Sequence, residues 1–164
     1  MTTEEQLAAL FRKLGARNPE AWARSQIKEG IPQLLRFLFL REAWKHIVPD
    51  RDHSWMEAHV RSAQERPNDP YSGVGQAIGR CLDAGIDKDD LGDIVRGAQA
   101  ELLFSLCYLL EDPNLQEPEV ENSSWALFEI DPDGRPRRHI GGLHESVLET
   151  DPTGREMRPR RNRA

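Results

Sequence analysis

The chain has 164 residues, of which 38% are apolar and 30% charged, a composition typical of one folded domain with an appended segment. This balance excludes disorder along the whole chain, collagen-like repeats and cysteine-rich scaffolds. The formal net charge of −6 is unevenly distributed: residues 1–134 contain 14 Lys and Arg against 24 Asp and Glu, whereas residues 135–164 contain eight Arg, no Lys and four acids. Such an arginine-rich end can dock on its own acidic body, on an acidic partner or on phosphates.

Three helices are predicted before residue 50. Capping residues, prolines and glycines mark their ends, at Thr2 or Thr3 (with Glu5 or Gln6 completing a capping box), Gly15, Asn18–Pro19, Gly30, Pro32 and Pro49. The third helix carries apolar side chains around most of its circumference, from Leu34 to Ile47. A helix with that pattern is normally buried on several sides, so we expect it to be central.

Three further helices are predicted between residues 50 and 111. The first is capped by Asp50 or Asp52, runs through Ala63 and ends at the turn signals of Pro67–Pro70, and the other two extend over about Ser72 to Ala84 and Lys88 to Glu111. The second half of the last helix is almost entirely apolar, which predicts full burial with Leu103 and Leu106 in the core. Glycines at 73, 75 and 79 match neither a dinucleotide fingerprint nor a Walker loop. We expect them to let two helices pack closely.

The character of the sequence changes after Asp112. Residues 112–124 are rich in proline, asparagine and acids and are predicted to form a linker. A strand at Trp125–Ile130, a turn at Asp131–Gly134 and a strand near Arg137–Ile140 predict a β-hairpin. The predicted fold is therefore mainly α, an orthogonal or bundle-like domain of about six helices over residues 1–112. Residues 113–164 are predicted to form a linker, the hairpin and an extended arginine-rich arm that packs on this domain.

A ten-residue pattern occurs twice in the C-terminal segment, at Glu129–Arg138 and Glu149–Arg158. Each copy contains Asp-Pro-x-Gly-Arg, in which proline and glycine favour a tight turn. One interpretation is that a good turn sequence is simply used twice. The other is that paired arginines face one anionic ligand, since guanidinium groups bind carboxylate and phosphate. With the glycine- and histidine-containing loop between the copies, the candidate residues for anion or partner binding are Arg135, Arg138, His139, His144, Arg155 and Arg158.

Two Glu/His pairs at a spacing of four residues flank the predicted turn at Pro49. On helices each pair would share one face, and the two pairs together would offer two imidazoles and two carboxylates to a metal ion or to acid/base chemistry. Weak interactions at the helix surface are the simpler interpretation. The candidate metal ligands are Glu42, His46, His53 and Glu57.

Nothing in the sequence predicts insertion into a membrane. The longest strongly apolar stretch, Leu102–Leu110, is far shorter than the roughly 20 residues of a spanning helix. The acidic segment Met1–Glu5 lacks the basic and apolar regions of a secretory signal. Cys81 and Cys107 lie in helical patterns, which favours reduced thiols. We therefore expect a cytoplasmic protein.

We expect a non-enzymatic interaction protein, because the sequence contains no specific catalytic motif and its charge is divided between an acidic body and an arginine-bearing arm. Its partner would be another protein or a second copy of the chain in a homodimer, and no cofactor is required. The first alternative is a small metal-dependent hydrolase that uses the four Glu and His residues. The second is nucleic-acid binding through Arg155–Arg163, which ranks last because the rest of the chain is acidic.

Overall fold

Helices account for most of the ordered structure, as the sequence predicts. The computed structural model describes residues 3–120 and 122–160. Within them, seven helices and a two-stranded antiparallel hairpin follow in the order α1 (Glu4–Lys13), α2 (Pro19–Glu29), α3 (Gln33–Trp44), α4 (Ser54–Glu65), α5 (Ser72–Asp83), α6 (Lys88–Leu109), β1 (Phe128–Ile130), β2 (Pro136–His139) and α7 (Leu143–Ser146). The predicted mainly α fold with a hairpin near the C-terminus is confirmed.

Local capping chemistry explains where the first helices begin and end. The Thr3 hydroxyl accepts from the backbone N–H of Gln6 at 3.2 Å, and the Gln6 side chain accepts from the Thr3 N–H at 3.0 Å. This reciprocal pair is the predicted capping box, and its alternative Thr2 lies outside the described residues. Gly30 ends α2 with a φ of +73°, a left-handed conformation that favours glycine.

By contacts, the chain divides into two compact units. The first unit comprises residues 1–46 and 100–164, and the second comprises residues 47–99. The sequence-based division at residue 112 stays a prediction.

In the first unit, the aromatic rings of Phe11, Trp22 and Phe37 pack with centroids 5.7–5.9 Å apart, which joins α1, α2 and α3 around one apolar core.

In the second unit, α4 and α5 pack against each other at Gly75. A Cβ atom at this position would lie 2.1 Å from the backbone oxygen of His59 and 2.7 Å from the Cβ of Ala63, so only glycine permits this approach. At Gly73 and Gly79, by contrast, an added Cβ atom would have no other atom within 4 Å. Close helix packing, predicted for all three glycines, is therefore confirmed at one of them.

The C-terminal half of α6 is not buried as predicted. Leu102, Leu106 and Leu109 are 58%, 48% and 43% exposed, whereas Cys107 is 1% exposed. Leu103 is half-buried. A helix turns about 100° per residue, so an entirely apolar stretch can bury every residue only when other elements cover all its sides. Here one stripe of α6 faces inward, and the expectation of a core position is wrong for Leu106.

The hairpin is shorter than predicted, and the segment after it contains an additional helix. Phe128 pairs with His139 and Ile130 with Pro136, so β1 begins three residues after the expected Trp125. Gly142 has a φ of +66° and starts α7 directly behind β2. In the sequence, Gly141 and Gly142 indicated only the end of the second strand, so α7 was not predicted.

Candidate functional site

The repeated sequence pattern produces the same backbone turn twice. In the first copy, Gly134 N–H donates to the Asp131 carbonyl at 2.9 Å, and Asp133 N–H donates to the Asp131 carboxylate at 3.0 Å. In the second, Gly154 N–H and Thr153 N–H make the equivalent bonds to Asp151, both at 3.0 Å. The repeat is thus accounted for by a turn in which aspartate accepts from the residue two positions later.

The side chains around the two turns differ, although the backbones agree. Arg138 Nε donates to Glu129 across the hairpin at 2.7 Å, and this contact holds the pKa of the Glu129 carboxyl below its usual range. In the second copy, Glu149 accepts from Asn18, and Arg158 donates to Glu156 at 3.0 Å. The two copies therefore do not present their arginines in the same way.

The remaining arginines of the predicted anion site differ in the group that makes the contact, the guanidinium for Arg155 and the backbone N–H for Arg135. Arg155 Nη1 donates to the carbonyl oxygen of Arg158 at 3.0 Å, and the N–H of Arg135 donates to the Asp131 carboxylate at 2.9 Å. Arg161 and Arg163, which belong to the predicted nucleic-acid cluster, lie outside the described residues. Anion binding at these arginines stays a prediction.

The loop that carries His139 and His144 is bound to the helices of the first unit. Glu111 holds it through two contacts: Gly142 N–H donates to Oε1 at 2.8 Å, and His144 Nδ1 lies 2.9 Å from Oε2. The His144 ring also meets the edges of Phe104 and Tyr108 on α6, with centroid distances of 5.8 and 5.1 Å. These contacts make the loop a packed part of the unit.

Arg36 joins α3 to the same loop. Its guanidinium Nη2 donates to the carbonyl oxygen of Gly142 and, at 3.1 Å, to the hydroxyl of Ser146, and it lies 3.4 Å from the Glu145 carboxylate. Arg36 and Ser146 are buried. A buried guanidinium needs such acceptors because an uncompensated charge away from water is costly. Arg36 thus acts as a structural tie between α3 and α7.

Three of the four candidate metal ligands contact other side chains of the protein. Glu42 contacts Lys45 and Arg41, and these two contacts lower the pKa of its carboxyl. In the second unit, His53 Nε2 lies 2.9 Å from Asp89 Oδ1, and Glu57 Oε1 lies 3.2 Å from Lys88 Nζ. His46 is exposed at the end of α3.

Over residues 3–120 and 122–160, no group of three or more His, Cys, Asp or Glu side chains is placed to hold a metal ion. The four predicted ligands are divided between the two compact units, because Glu42 and His46 belong to the first unit and His53 and Glu57 to the second. The four-residue metal site stays a prediction.

The feature that sequence analysis missed is an apolar surface, which we call the leucine face and define as Leu102, Leu106 and Leu109. The three residues follow spacings of four and three, so they project from one side of α6. All three are exposed by two-fifths or more. Trp125, also exposed, donates its indole N–H to the Leu109 carbonyl at 2.8 Å, which places an aromatic ring at the C-terminal end of α6. Because the sequence of this half of α6 is apolar on all sides, it does not show which side stays exposed to solvent.

The chain segment that contains the leucine face carries charges of one sign. Residues 97–134 contain nine acids and neither lysine nor arginine. Among residues 3–120 and 122–160, none of the helices has the length and apolar character of a membrane-spanning segment. Comparisons with protein-family models, with curated proteins and with solved structures find no match to this chain.

Proposed function

We propose that this chain is an interaction protein that binds a basic amphipathic helix of another protein on the leucine face. The observation that carries the proposal is the exposure of Leu102, Leu106 and Leu109 along one side of a regular helix. Contiguous exposed apolar patches commonly mark protein interaction sites, because covering them removes apolar surface from water.

The spacing of the leucines suits a helical partner. Apolar side chains at intervals of four and three residues form a ridge that packs into the corresponding groove of a second helix. Trp125 at the C-terminal end of α6 adds an aromatic anchor of the kind that contributes strongly at interfaces. A partner helix would accordingly carry its own apolar residues at i, i+3, i+4 and i+7.

The local charge favours a basic partner over a second copy of the same face. Glu101 lies on α6 beside Leu102 and Asp112 follows the end of the helix, and no basic residue occurs in the sequence between Arg96 and Arg135. Two such surfaces brought together would repel each other, whereas lysine or arginine beside an apolar stripe would be attracted. Charge complementarity of this kind also speeds the encounter of the two proteins.

The proposal is tested with two synthetic helical peptides that share one leucine face and differ only in flanking lysine or glutamate. We expect the lysine peptide to bind at least about tenfold more tightly than the glutamate peptide, measured by fluorescence anisotropy. Leu106→Asp should abolish binding. Ile94→Asp is the matched control, because Ile94 is also an exposed apolar residue of α6 but lies outside the leucine face.

Three results would contradict the proposal. The first is equal binding of both peptides, which would remove the charge argument, and the second is equal loss of binding in the two aspartate variants. The third is a dimer in sedimentation analysis that Leu106→Asp dissociates, because a second copy of the chain would then cover the face. Thermal unfolding of both variants checks that each remains folded.

A further inference from the structure

A pocket of about 380 Å³ lies between α2, α3 and the segment around α7, away from the leucine face. Three carboxylates line it, those of Glu29, Glu145 and Glu149, together with Trp22 and Gln33. Its volume is within the range of small-ligand sites. The carboxylates alone would not identify a ligand. Gln33 and Ser25, which we call the floor of the pocket, provide an independent observation.

The floor contains a buried hydrogen-bond acceptor whose orientation is determined by its neighbours. The Ser25 hydroxyl donates to the Glu29 carboxylate at 2.9 Å, because a carboxylate can only accept. Ser25 therefore accepts from Gln33, whose Nε2 lies 2.8 Å away. The orientation of the Gln33 amide is therefore determined: its nitrogen faces Ser25, and its oxygen, Oε1, points away from Ser25.

Gln33 Oε1 has no hydrogen-bond partner among the described residues, and the residue is only 8% exposed. Buried side-chain acceptors almost always have a donor, so an unmatched one on a pocket floor indicates a group that donates to it. The pocket thus combines an unmatched acceptor with carboxylates, and both favour a ligand that is a donor and carries positive charge.

The cation that lines the pocket, Arg36, does not reverse this preference. Its Nη2 donates to Gly142 and Ser146 and lies near the Glu145 carboxylate, and three carboxylates against one guanidinium leave the pocket lining negative. Arg36 Nε is buried and has no partner within the described chain. A water between this N–H and Gln33 Oε1 is therefore the competing occupant of the floor.

We propose that this pocket binds an organic cation, an ammonium or guanidinium group on an alkyl chain. The charged group donates to Gln33 Oε1 and to the carboxylates of Glu29 and Glu145. The alkyl chain lies against the part of Trp22 that lines the pocket. The cation is supplied by a small amine or by a lysine or arginine side chain of a bound protein.

The test uses n-butylammonium and n-butylguanidinium chloride with the full chain, and 1-pentanol as a neutral compound of similar shape. Nitrogen-edited NMR spectra follow the Trp22 indole and the Gln33 amide. We expect both cations, but not pentanol, to shift these signals saturably, and the affinity to fall as salt rises. In the double variant Glu29→Gln/Glu145→Gln, affinity should fall at least about tenfold relative to Glu65→Gln/Glu119→Gln, which removes the same charge elsewhere.

Acetylated Gly-Arg-Gly and Gly-Lys-Gly amides distinguish the two sources of the cation. Binding of the butyl cations as tightly as the tripeptides supports a small cation, and tighter binding of the tripeptides supports a partner side chain. Binding of pentanol, equal affinity in both double variants, or no shift with any cation would overturn the proposal and leave a water as the occupant. Gln33→Met is a further variant that removes the acceptor at similar volume.

Discussion

The indole Nε1 of Trp44 donates to the carbonyl oxygen of Val147 at 3.0 Å, and both residues are buried. This bond connects α3 to the segment after α7 across 103 residues of sequence. Arg17 adds a second connection, because its guanidinium donates to the carbonyl oxygens of Glu149 and Gly154. The C-terminal segment, predicted to pack on the helical domain, is thus bound to α3 and to the turn before α2 within the first unit.

Leu143→Ala should destabilise the protein by about 2–5 kcal/mol, because this side chain is almost fully buried and its truncation leaves a cavity. Leu148→Ala is the matched control: Leu148 lies five residues later and is exposed, so the expected change is within about 0.5 kcal/mol. Urea unfolding measures both free energies. Equal, small effects would mean that α7 does not contribute to the core.

Gly75→Ala should destabilise the second unit by about 1–3 kcal/mol or more, because the new Cβ would overlap the His59 carbonyl oxygen. Gly79→Ala on the same helix meets no atom within 4 Å and should be neutral or stabilising by about 0.5–1 kcal/mol. Thermal unfolding of the two variants gives opposite signs if α4 and α5 pack as described. A stabilising Gly75→Ala would refute this packing.

Asp151→Ala should cost at least about 2 kcal/mol, whereas Asp131→Ala should cost less than about 1 kcal/mol. The turns are alike, but Asp151 is 1% exposed and its carboxylate also accepts from the Thr153 hydroxyl at 2.7 Å. Truncation there leaves buried donors without an acceptor, whereas Asp131 is only half-buried and water can replace its carboxylate. Chemical denaturation of both variants provides the comparison, and similar costs would contradict the role of burial.

Cys107 should react with a thiol reagent far more slowly than Cys81 in the native protein. Burial raises the pKa of the Cys107 thiol to about 11 and also blocks access, whereas Cys81 is only half-buried. Since the thiolate reacts, the rate at Cys107 should keep rising with pH up to about 11. Mass spectrometry of peptides after timed labelling measures each rate. In denaturant the two rates should converge, and a fast native reaction at Cys107 would contradict its burial.

Local signals predicted the helices well. The capping box at Thr3, the glycine after α2 and the Asp-Pro-x-Gly turns act over four or five residues, so they can be recognised without knowing the rest of the fold. The candidate sites could not be predicted in this way. In a continuous apolar sequence nothing shows which side of α6 stays exposed, and the pocket at Gln33 combines residues more than 100 positions apart.

The sequence by itself determined the helical class, most element boundaries and the two aspartate turns, because each depends on backbone preferences of neighbouring residues. Tertiary structure alone decided which side of α6 is covered and where residues 142–157 dock. Those outcomes depend on contacts such as Arg36 with Gly142 and Trp44 with Val147, which form only after distant segments have met. Burial is a property of the assembled surface, and the same leucine is core or interface according to what packs against it.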